Sequence, residues 1–432
     1  MHLLIRLTLR IASLALKFVL TIVVARTLGF AAVADYGLAL AVSVVSSKLL
    51  GLGFSTEINR RLSSVNPVGA IRDARRLLLL YCVVYAVIAA IVAFLYDSAG
   101  LDVFHRITPG ILWGVVLVAF SEHLGLETTS YVFSLHRPRL GSALLFIRTG
   151  AWAGVAIVGL LAGGVRSVEM IFTLWCGTNV IAAVAACWCV WRSGHAGHEA
   201  GLQRETPATD GARSVRSVWI AGLPFFVATT VLSGLQYGER FLASGVVTAD
   251  KLGRYVFAWS IANSIQTIAY ATIVVTAGPR LVRALSAVDG DFWTVLRASA
   301  RSSACISILA VAGILFASQP IFRLAGEPAD GPALMMLLTL LVSFVLRSIA
   351  DVFWSGAVAL RLGKPVVIAI SVVAVVSIPL EWMLVTRLGA IGAALAHLTA
   401  SVGIVAILVL IVMRARETPV VVDSNKEAFY VS

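Results

Sequence analysis

The fold class is decided by residues 366–386, VVIAISVVAVVSIPLEWMLVT, and by residues 389–413, GAIGAALAHLTASVGIVAILVLIVM. Each segment has the length of about 20 mostly apolar residues with which a helix crosses the hydrocarbon core of a bilayer. Glu381 is the one charged residue across both segments. We therefore predict two membrane-spanning helices here, divided around Arg387, Gly389 and Gly392. A single span over the whole region is the alternative.

The rest of the chain follows the same pattern. Of its 432 residues 59% are apolar and 13% are charged, whereas soluble domains average about 45–50% and about 25%. This composition excludes a soluble enzyme and predicts an all-α integral membrane protein. We predict twelve spans, or eleven if the last two are one, with cores at 8–25, 37–55, 77–95, 110–131, 142–163, 169–191, 218–238, 254–277, 302–323, 333–358, 366–386 and 389–413.

The distribution of basic residues predicts the orientation. The chain has 34 Lys and Arg against 22 Asp and Glu, a formal net charge of +12. Most of the basic residues fall in segments that face the cytoplasm if the N-terminus is cytoplasmic, as the positive-inside rule requires. We therefore predict a multi-pass membrane protein with both termini cytoplasmic, and we attribute most of the charge excess to topology rather than to nucleic-acid binding.

The longest loop divides the predicted spans into two sets of six. Residues 1–191 form an N-terminal six-helix bundle, 192–216 a cytoplasmic linker, 217–416 a C-terminal bundle and 417–432 a cytoplasmic tail. A short similarity between residues 26–39 and 239–258 suggests a repeat. An even number of spans per half would make the repeats parallel, with a central cavity between two bundles.

Basic residues inside the predicted spans are the candidate substrate site. They are Lys17, Lys48, Arg148 and Arg347. A charge at mid-bilayer costs about 2.5–3.5 kcal/mol on insertion scales unless it meets a partner or water. Arg347 and Asp351 are spaced i, i+4, and Glu122 and Arg148 lie on consecutive helices, so either pair can be a local ion pair. Lys17 and Lys48 have no such partner, which favours a cationic lumen for a phosphate-bearing substrate.

Other chemistry is not indicated. There is no nucleotide-binding loop, and we predict no cofactor, no catalytic residues and no metal site. The five cysteines lie in apolar runs, without a spacing typical of zinc sites or disulfides. His195 and His198 are interpreted as solvated loop residues.

Several motifs add a family resemblance. They are 23–29 (VVARTLG) with 35–37 (DYG) and 50–54 (LGLGF); Leu223-Pro224, 252–255 (LGRY) with Ala258, and 278–280 (GPR); and 388–395 (LGAIGAAL), supported by Glu122 and 137–139 (RPR). In this order the chain resembles the polysaccharide flippases, Wzx-like translocases of O-antigen or exopolysaccharide units. These belong to the multidrug/oligosaccharidyl-lipid/polysaccharide (MOP) exporter superfamily. Lys48 and Arg26 match basic positions of that pattern, and Asp35 matches an acidic one.

The resemblance implies a function and its residues. It implies that the protein flips undecaprenyl-pyrophosphate-linked oligosaccharide across the membrane by alternating access through a cationic cavity. We predict substrate contacts at Lys17, Arg26, Lys48, Arg148 and Arg347, and coupling of H⁺ or Na⁺ at Asp35, Glu122 or Asp351. Expected partners are the lipid-linked oligosaccharide, membrane lipids, and polymerase and chain-length proteins of the same pathway.

Two other functions are weighed. A drug or metabolite exporter of the MATE type belongs to the same superfamily, but its substrates are often cationic. An integral-membrane polysaccharide polymerase or ligase is the enzymatic alternative. It generally needs a large outer loop, and the longest one predicted here, around residues 96–109, is short.

Overall fold

The computed structural model describes residues 2–51, 54–63, 67–98, 108–199, 215–286 and 291–417. All regular secondary structure within these ranges is helical. By its internal contacts the chain divides into two compact units, residues 1–226 and 227–432. The boundary falls within a helix, and the predicted linker 192–216 lies largely outside the described residues.

The described residues of the first unit form eight helices and one π-helical turn, apart from the helix that continues into the second unit. In chain order they are α1 (His2–Leu28), α2 (Phe30–Leu50), α3 (Phe54–Leu62), α4 (Val68–Ser98), α5 (Pro109–Ser134), α6 (Pro138–Phe146), the π-helical turn Ile147–Ala151, α7 (Trp152–Leu161) and α8 (Val168–Glu199). Helix α5 packs against α2 and α8. Because α6, the π-helical turn and α7 follow without interruption, they form one spanning rod.

The described residues of the second unit also form helices and one π-helical turn. Its helices are α9 (Val215–Val246), which begins in the first unit, α10 (Ala249–Ala269), the π-helical turn Tyr270–Val274, α11 (Val275–Ser286), α12 (Phe292–Ala325), α13 (Gly331–Ala359) and α14 (Gly363–Glu417). Helix α13 is central, because it packs against α10, α12 and α14.

The long element α14 is two helices. Gly389 within it has φ 61° and ψ −132°, a combination that residues other than glycine essentially do not adopt. A Cβ added at Gly392 would overlap the carbonyl group of Leu384, so the chain reverses tightly at this point. The division that we predicted around Arg387, Gly389 and Gly392 is therefore confirmed, and the twelve-span reading is favoured over eleven.

Helix ends coincide with capping residues. Thr108, Thr248, Asp291 and Asp330 each accept a hydrogen bond from a first-turn backbone N–H with their side chain, which satisfies a donor that the helix leaves unpaired. Gly326 closes α12 in the left-handed conformation, the usual helix C-terminal geometry. These residues fix the starts of α5, α10, α12 and α13 and the end of α12.

The predicted second span is partly wrong at its start. We placed it at 37–55, but α2 is Phe30–Leu50. The turn before it is made by Gly29, whose φ is 87°. Asp35 therefore lies inside the helix rather than in the preceding turn.

The remaining predicted spans all fall on described helices. Ten helices in the described ranges are long and apolar enough to cross a membrane. Dividing α14 at Gly389 and adding α9, which is uncharged over 217–238, gives twelve. Many of their large apolar side chains are exposed, for example Phe316, Leu309 and Val375. An outer surface made of such side chains is suited to contact with lipid. Together with the twelve apolar helices, it makes the protein a multi-pass membrane protein.

Candidate functional site

The first unit contains a buried ion pair. Arg148, 5% exposed, lies in the π-helical turn and donates from Nη1 to Glu122 Oε1 on α5. Glu122 Oε2 also accepts from Trp175 Nε1 at 3.1 Å and from Asn179 Nδ2 at 2.9 Å, both on α8. The Glu122 carboxylate on α5 therefore joins α5 to α8 and to the rod formed by α6, the π-helical turn and α7. The sequence left two alternatives for Arg148, a cation that lines the substrate site or a local ion pair with Glu122. The geometry is that of the local ion pair.

The path of the Arg148 side chain depends on Gly125. A Cβ at this position would lie 2.7 Å from Arg148 Cδ and 3.4 Å from Cγ, closer than carbon atoms approach without a shift. The π-helical turn inserts one extra residue into the rod and reorients the side chains there, as π-bulges at functional sites often do. The turn and the glycine together let a long cation cross to α5.

We expect Gly125→Ala to destabilise the protein by about 1–3 kcal/mol, the usual cost of overpacking a filled core. The matched control is Gly177→Ala on α8, because a Cβ there meets nothing within 4 Å. Thermal unfolding in detergent, followed by tryptophan fluorescence, should show a lower Tm for the first variant and an unchanged or higher Tm for the second. Equal Tm values for both variants would contradict the packing role assigned to Gly125.

Lys17 lies next to this ion pair. Its Nζ is 5.9 Å from the centroid of the Trp152 ring and 5.8 Å from that of Trp175, and its charge interacts with both Glu122 and Arg148. The two indoles are stacked at 4.6 Å, and an ammonium within about 6 Å of such rings is attracted by their π-systems. Two cationic residues therefore share one carboxylate, and if all three groups are ionised, Lys17, Arg148 and Glu122 together carry one net positive charge.

The other predicted residues of the first unit lie apart from this group. Arg26 is exposed near the end of α1, and Lys48 is exposed near the end of α2. The charge of Lys48 interacts with Glu127 on α5. Asp35 is half-buried, and its charge interacts with Glu169 at the start of α8.

In the second unit Arg347 and Asp351 turn to different partners. Arg347, 2% exposed, donates from Nε to Ser401 Oγ at 3.0 Å. Asp351 Oδ2 accepts from Gln266 Nε2 at 2.9 Å. In the described structure no hydrogen bond or ion pair within 4.0 Å joins the two, although their charges interact. The i, i+4 spacing of Arg347 and Asp351 did not by itself make them pair, because Gln266 on α10 donates to Asp351 instead.

Three further ionisable residues of the second unit surround Arg347, and none was among our predicted site residues. Glu239 and Arg240 are fully buried on α9, and Glu381 is 2% exposed on α14. Arg240 Cζ lies 3.9 Å from the centroid of the Trp259 ring, and Tyr255 Oη donates to Glu239 Oε1 at 2.9 Å. The charge of Glu381 interacts with those of Glu239 and Arg347. If all five groups are ionised, three carboxylates meet two guanidinium groups.

The polar atoms of this second group are incompletely paired. Glu239 Oε2, Arg347 Nη2 and Glu381 Oε1 are buried and, within the described part of the chain, lack a hydrogen-bond partner. Such atoms are costly inside a protein unless an ion or water serves them. A charged residue inside an apolar run was the signal that could have identified Glu239 and Glu381 from the sequence.

Metal clusters and large polar pockets were also sought in the described residues. No group of three or more His, Cys, Asp or Glu side chains there is arranged to hold a metal ion. A shallow depression is lined by Val367, Ile368, Ser371, Val372, Val375 and Val376. It is almost entirely apolar and offers a lipid-facing surface rather than a site for a charged ligand.

Comparison with known proteins identifies the fold. A multidrug-resistance MATE-family transporter of the MOP superfamily in an inward-facing conformation superimposes with a TM-score of 0.71 at 15% identity, covering 96% of this chain and 98% of that one. The lipid II flippase MurJ in an inward closed conformation gives 0.64 at 13%, covering 95% and 87%. The chain has the MOP-superfamily transporter fold.

A third structure concerns the charge of the binding site. It is a MOP-superfamily transporter from Pyrococcus furiosus, described as having a binding pocket of reverse polarity that suggests a different function, with a TM-score of 0.59 at 14% identity over 96% and 94%. No family model matches the chain, and no curated protein matches it. The predicted all-helical fold and the superfamily fold are confirmed, while the likeness to polysaccharide flippases in particular is not shown.

Proposed function

We propose that the protein flips undecaprenyl-pyrophosphate-linked oligosaccharide units across the cytoplasmic membrane by alternating access. The observation that carries the proposal is the grouping in the first unit of the half-buried Lys17 and the buried Arg148 around the single carboxylate Glu122, which leaves one surplus cation when all three are ionised. A surplus cation inside an apolar unit is costly unless an anion or water compensates it. A pyrophosphate group is an anion of the right chemistry.

The fold supports the same proposal. The lipid II flippase in the comparison shows that this architecture serves a lipid-linked substrate in at least one protein. The sequence motifs of polysaccharide flippases supply the narrower substrate class. The protein would act in the inner membrane with both termini cytoplasmic, beside the polymerase and chain-length proteins that consume its product.

The predicted cations divide into two roles under this proposal. Lys17 and Lys48 are the head-group contacts, because Lys17 is half-buried and Lys48 is exposed. Arg148 and Arg347 are almost fully buried with partners of their own, so they position neighbouring groups. Arg26, exposed near the end of α1, would meet the head group at one membrane face.

Deletion of the gene is the direct test. We expect lipid-linked repeat units to accumulate in the cytoplasmic leaflet, measured by their resistance to a glycosidase or lectin applied from outside to spheroplasts. Plasmid-borne wild-type protein should restore outer-leaflet exposure. Normal exposure of the repeat units in the deletion strain, with no second flippase gene, would contradict the proposal.

A drug or metabolite exporter is the second candidate, and the second unit favours it. If all five groups there are ionised, three carboxylates face two guanidinium groups, and the excess negative charge would suit a cationic substrate or a coupling ion. Increased sensitivity of the deletion strain to cationic dyes, with unchanged export of lipid-linked sugars, would favour this function. A polymerase or ligase is less well supported, because the compared folds are those of transporters; the predicted outer loop 96–109 lies mostly outside the described residues.

A further inference from the structure

The first unit contains a second buried group that the proposed function does not use. His123 is fully buried on α5, and Glu127, one turn further along, is 3% exposed. His123 Nδ1 lies 2.5 Å from Tyr85 Oη on α4. His123 Nε2 lies 3.9 Å from Glu127 Oε1, and Glu127 Oε2 accepts from Tyr131 Oη at 3.3 Å. These four residues form the Tyr–His–Glu chain.

One atom of the Tyr–His–Glu chain is unsatisfied. Within the described residues His123 Nε2 is buried without a hydrogen-bond partner. A core histidine that serves packing alone normally has both nitrogens paired. Here Nε2 points toward a carboxylate but stops short of hydrogen-bond distance. The imidazole therefore has a charged acceptor at hand that only a small movement would engage.

The chain can hold one additional proton. With Tyr85 donating to Nδ1, the neutral ring carries its hydrogen on Nε2, toward Glu127. A second proton at Nδ1 makes the imidazolium ion, and Tyr85 then accepts instead of donating, since a hydroxyl can do both. Protonation changes the charge of the His123–Glu127 pair from minus one to zero and draws Nε2 toward the carboxylate.

Lys48 connects the Tyr–His–Glu chain to the substrate. Its side chain is exposed on α2, and its charge acts on Glu127. An anion bound at Lys48 would neutralise that charge, and the His123–Glu127 pair would then bind a proton more tightly. By linkage the reverse holds equally, and a bound proton strengthens anion binding by the same factor.

We propose that His123 and Glu127 form a proton-binding site that loads together with an anionic head group at Lys48. This inference rests on the proposed function for the identity of the anion. The proton adds to His123 Nδ1 from the solvent, and no other bond changes. Such coupling is typically 5–150-fold between two sites, and it would make transport of the anion depend on the proton gradient.

A small cavity lies beside one member of the Tyr–His–Glu chain and would be the start of a route for the proton. A small cavity of about 10 Å³ adjoins Tyr131 and Thr128 and is also lined by Arg75 near the start of α4. A space of this order holds about one water molecule if polar groups surround it. By the positive-inside rule this end of α4 faces the cytoplasm, so the proton would leave on that side.

Among the described residues, the groups that act on the Tyr–His–Glu chain include Lys48 on α2; Tyr81, Cys82 and Tyr85 on α4; Glu127 and Tyr131 on α5 itself; and Cys187 on α8. Ordinary tyrosine and cysteine side chains are uncharged near pH 7. Within this set, Lys48 and Glu127 are therefore the charged groups whose field acts on His123.

The first experiment needs no substrate. In protein labelled with ¹⁵N-histidine and placed in lipid nanodiscs, the His123 signals are assigned as those lost in His123→Gln, and their pH titration is recorded by NMR. We expect Lys48→Gln to move the protonation midpoint to higher pH and Glu127→Gln to lower pH, each by about tenfold in proton concentration. Lys364→Gln, an exposed lysine of the other unit, is the control and leaves it unchanged. An identical midpoint in all variants would overturn the proposal.

The second experiment measures coupling with geranyl pyrophosphate, a soluble prenyl pyrophosphate. In weakly buffered detergent solution with a pH-indicator dye, wild-type protein should take up protons as the probe binds. His123→Gln should bind the probe without uptake. Binding to wild-type protein without proton uptake overturns the inference and leaves the proposed function standing. Absence of binding contradicts the proposed function instead, and the titration still decides whether Lys48 governs protonation of His123.

Discussion

Neutralising both candidate head-group contacts, by Lys17→Met with Lys48→Gln, should lower flipping about a hundredfold or more while membrane abundance stays the same. A hydrogen bond to a charged group contributes about 1.5–3 kcal/mol, so loss of two such contacts to a pyrophosphate has a large effect. Methionine preserves the stem of Lys17 against the Trp152 and Trp175 rings. Reversal to Glu is a poorer test at this position, because a new carboxylate would face Glu122.

The matched control keeps the charges. Lys17→Arg with Lys48→Arg should retain most of the activity, and both pairs of variants are measured by outer-leaflet exposure of lipid-linked repeat units in the complemented deletion strain. Abundance is checked by immunoblot of membranes. Normal exposure in the neutralised variant would contradict the assignment of Lys17 and Lys48 as anion contacts.

The sequence was sufficient to predict the fold. Spans were visible because charged residues are rare in this chain and interrupt the apolar runs at their ends. The hardest division, within residues 363–417, was predicted from Gly389, and the positive φ of that residue explains why the signal was valid. The start of α2 was placed too late, because the turn before it is made by Gly29 and the helix begins at Phe30.

The site could be predicted only in part. Glu122 and Arg148 lie on consecutive antiparallel rods, so their pairing was one of two open alternatives. The position of Lys17 over Trp152 and Trp175 could not be predicted, because aromatic contacts between distant helices leave no local pattern. The contact of His123 with Tyr85 could not be predicted either, because it depends on packing between α4 and α5.

The partners of the buried charged residues in the second unit could not be predicted from the sequence either. A helical spacing of i, i+4 made Arg347 and Asp351 an obvious pair, but Gln266 and Ser401 supply closer partners. Glu239 and Glu381 interact across α9 and α14. Spacing along one helix identifies which residues share a face, whereas packing between helices decides which of them pair.

The buried pair in the first unit gives the second large expected effect. Arg148→Met alone should destabilise the protein by about 3–5 kcal/mol, because it leaves the buried Glu122 carboxylate without the guanidinium group that it contacts directly. Combining it with Glu122→Gln should recover most of that loss, since apolar or neutral replacements of both partners are often tolerated. The glutamine can still accept from Trp175, and its amide can donate to Asn179 Oδ1, which lacks a partner within the described residues.

This double variant also distinguishes two roles of Arg148, the positioning of its neighbours and direct contact with the anionic head group. The Tm of thermal unfolding measures the contribution of the ion pair to stability, and outer-leaflet exposure of repeat units measures transport. If Arg148 only positions its neighbours, the double variant should recover both stability and activity, because Lys17 remains as the surplus cation of the first unit. Recovered stability with activity still lost would instead make Arg148 a direct contact of the anionic head group. Equal instability of the single and double variants would contradict the ion pair as the source of the effect.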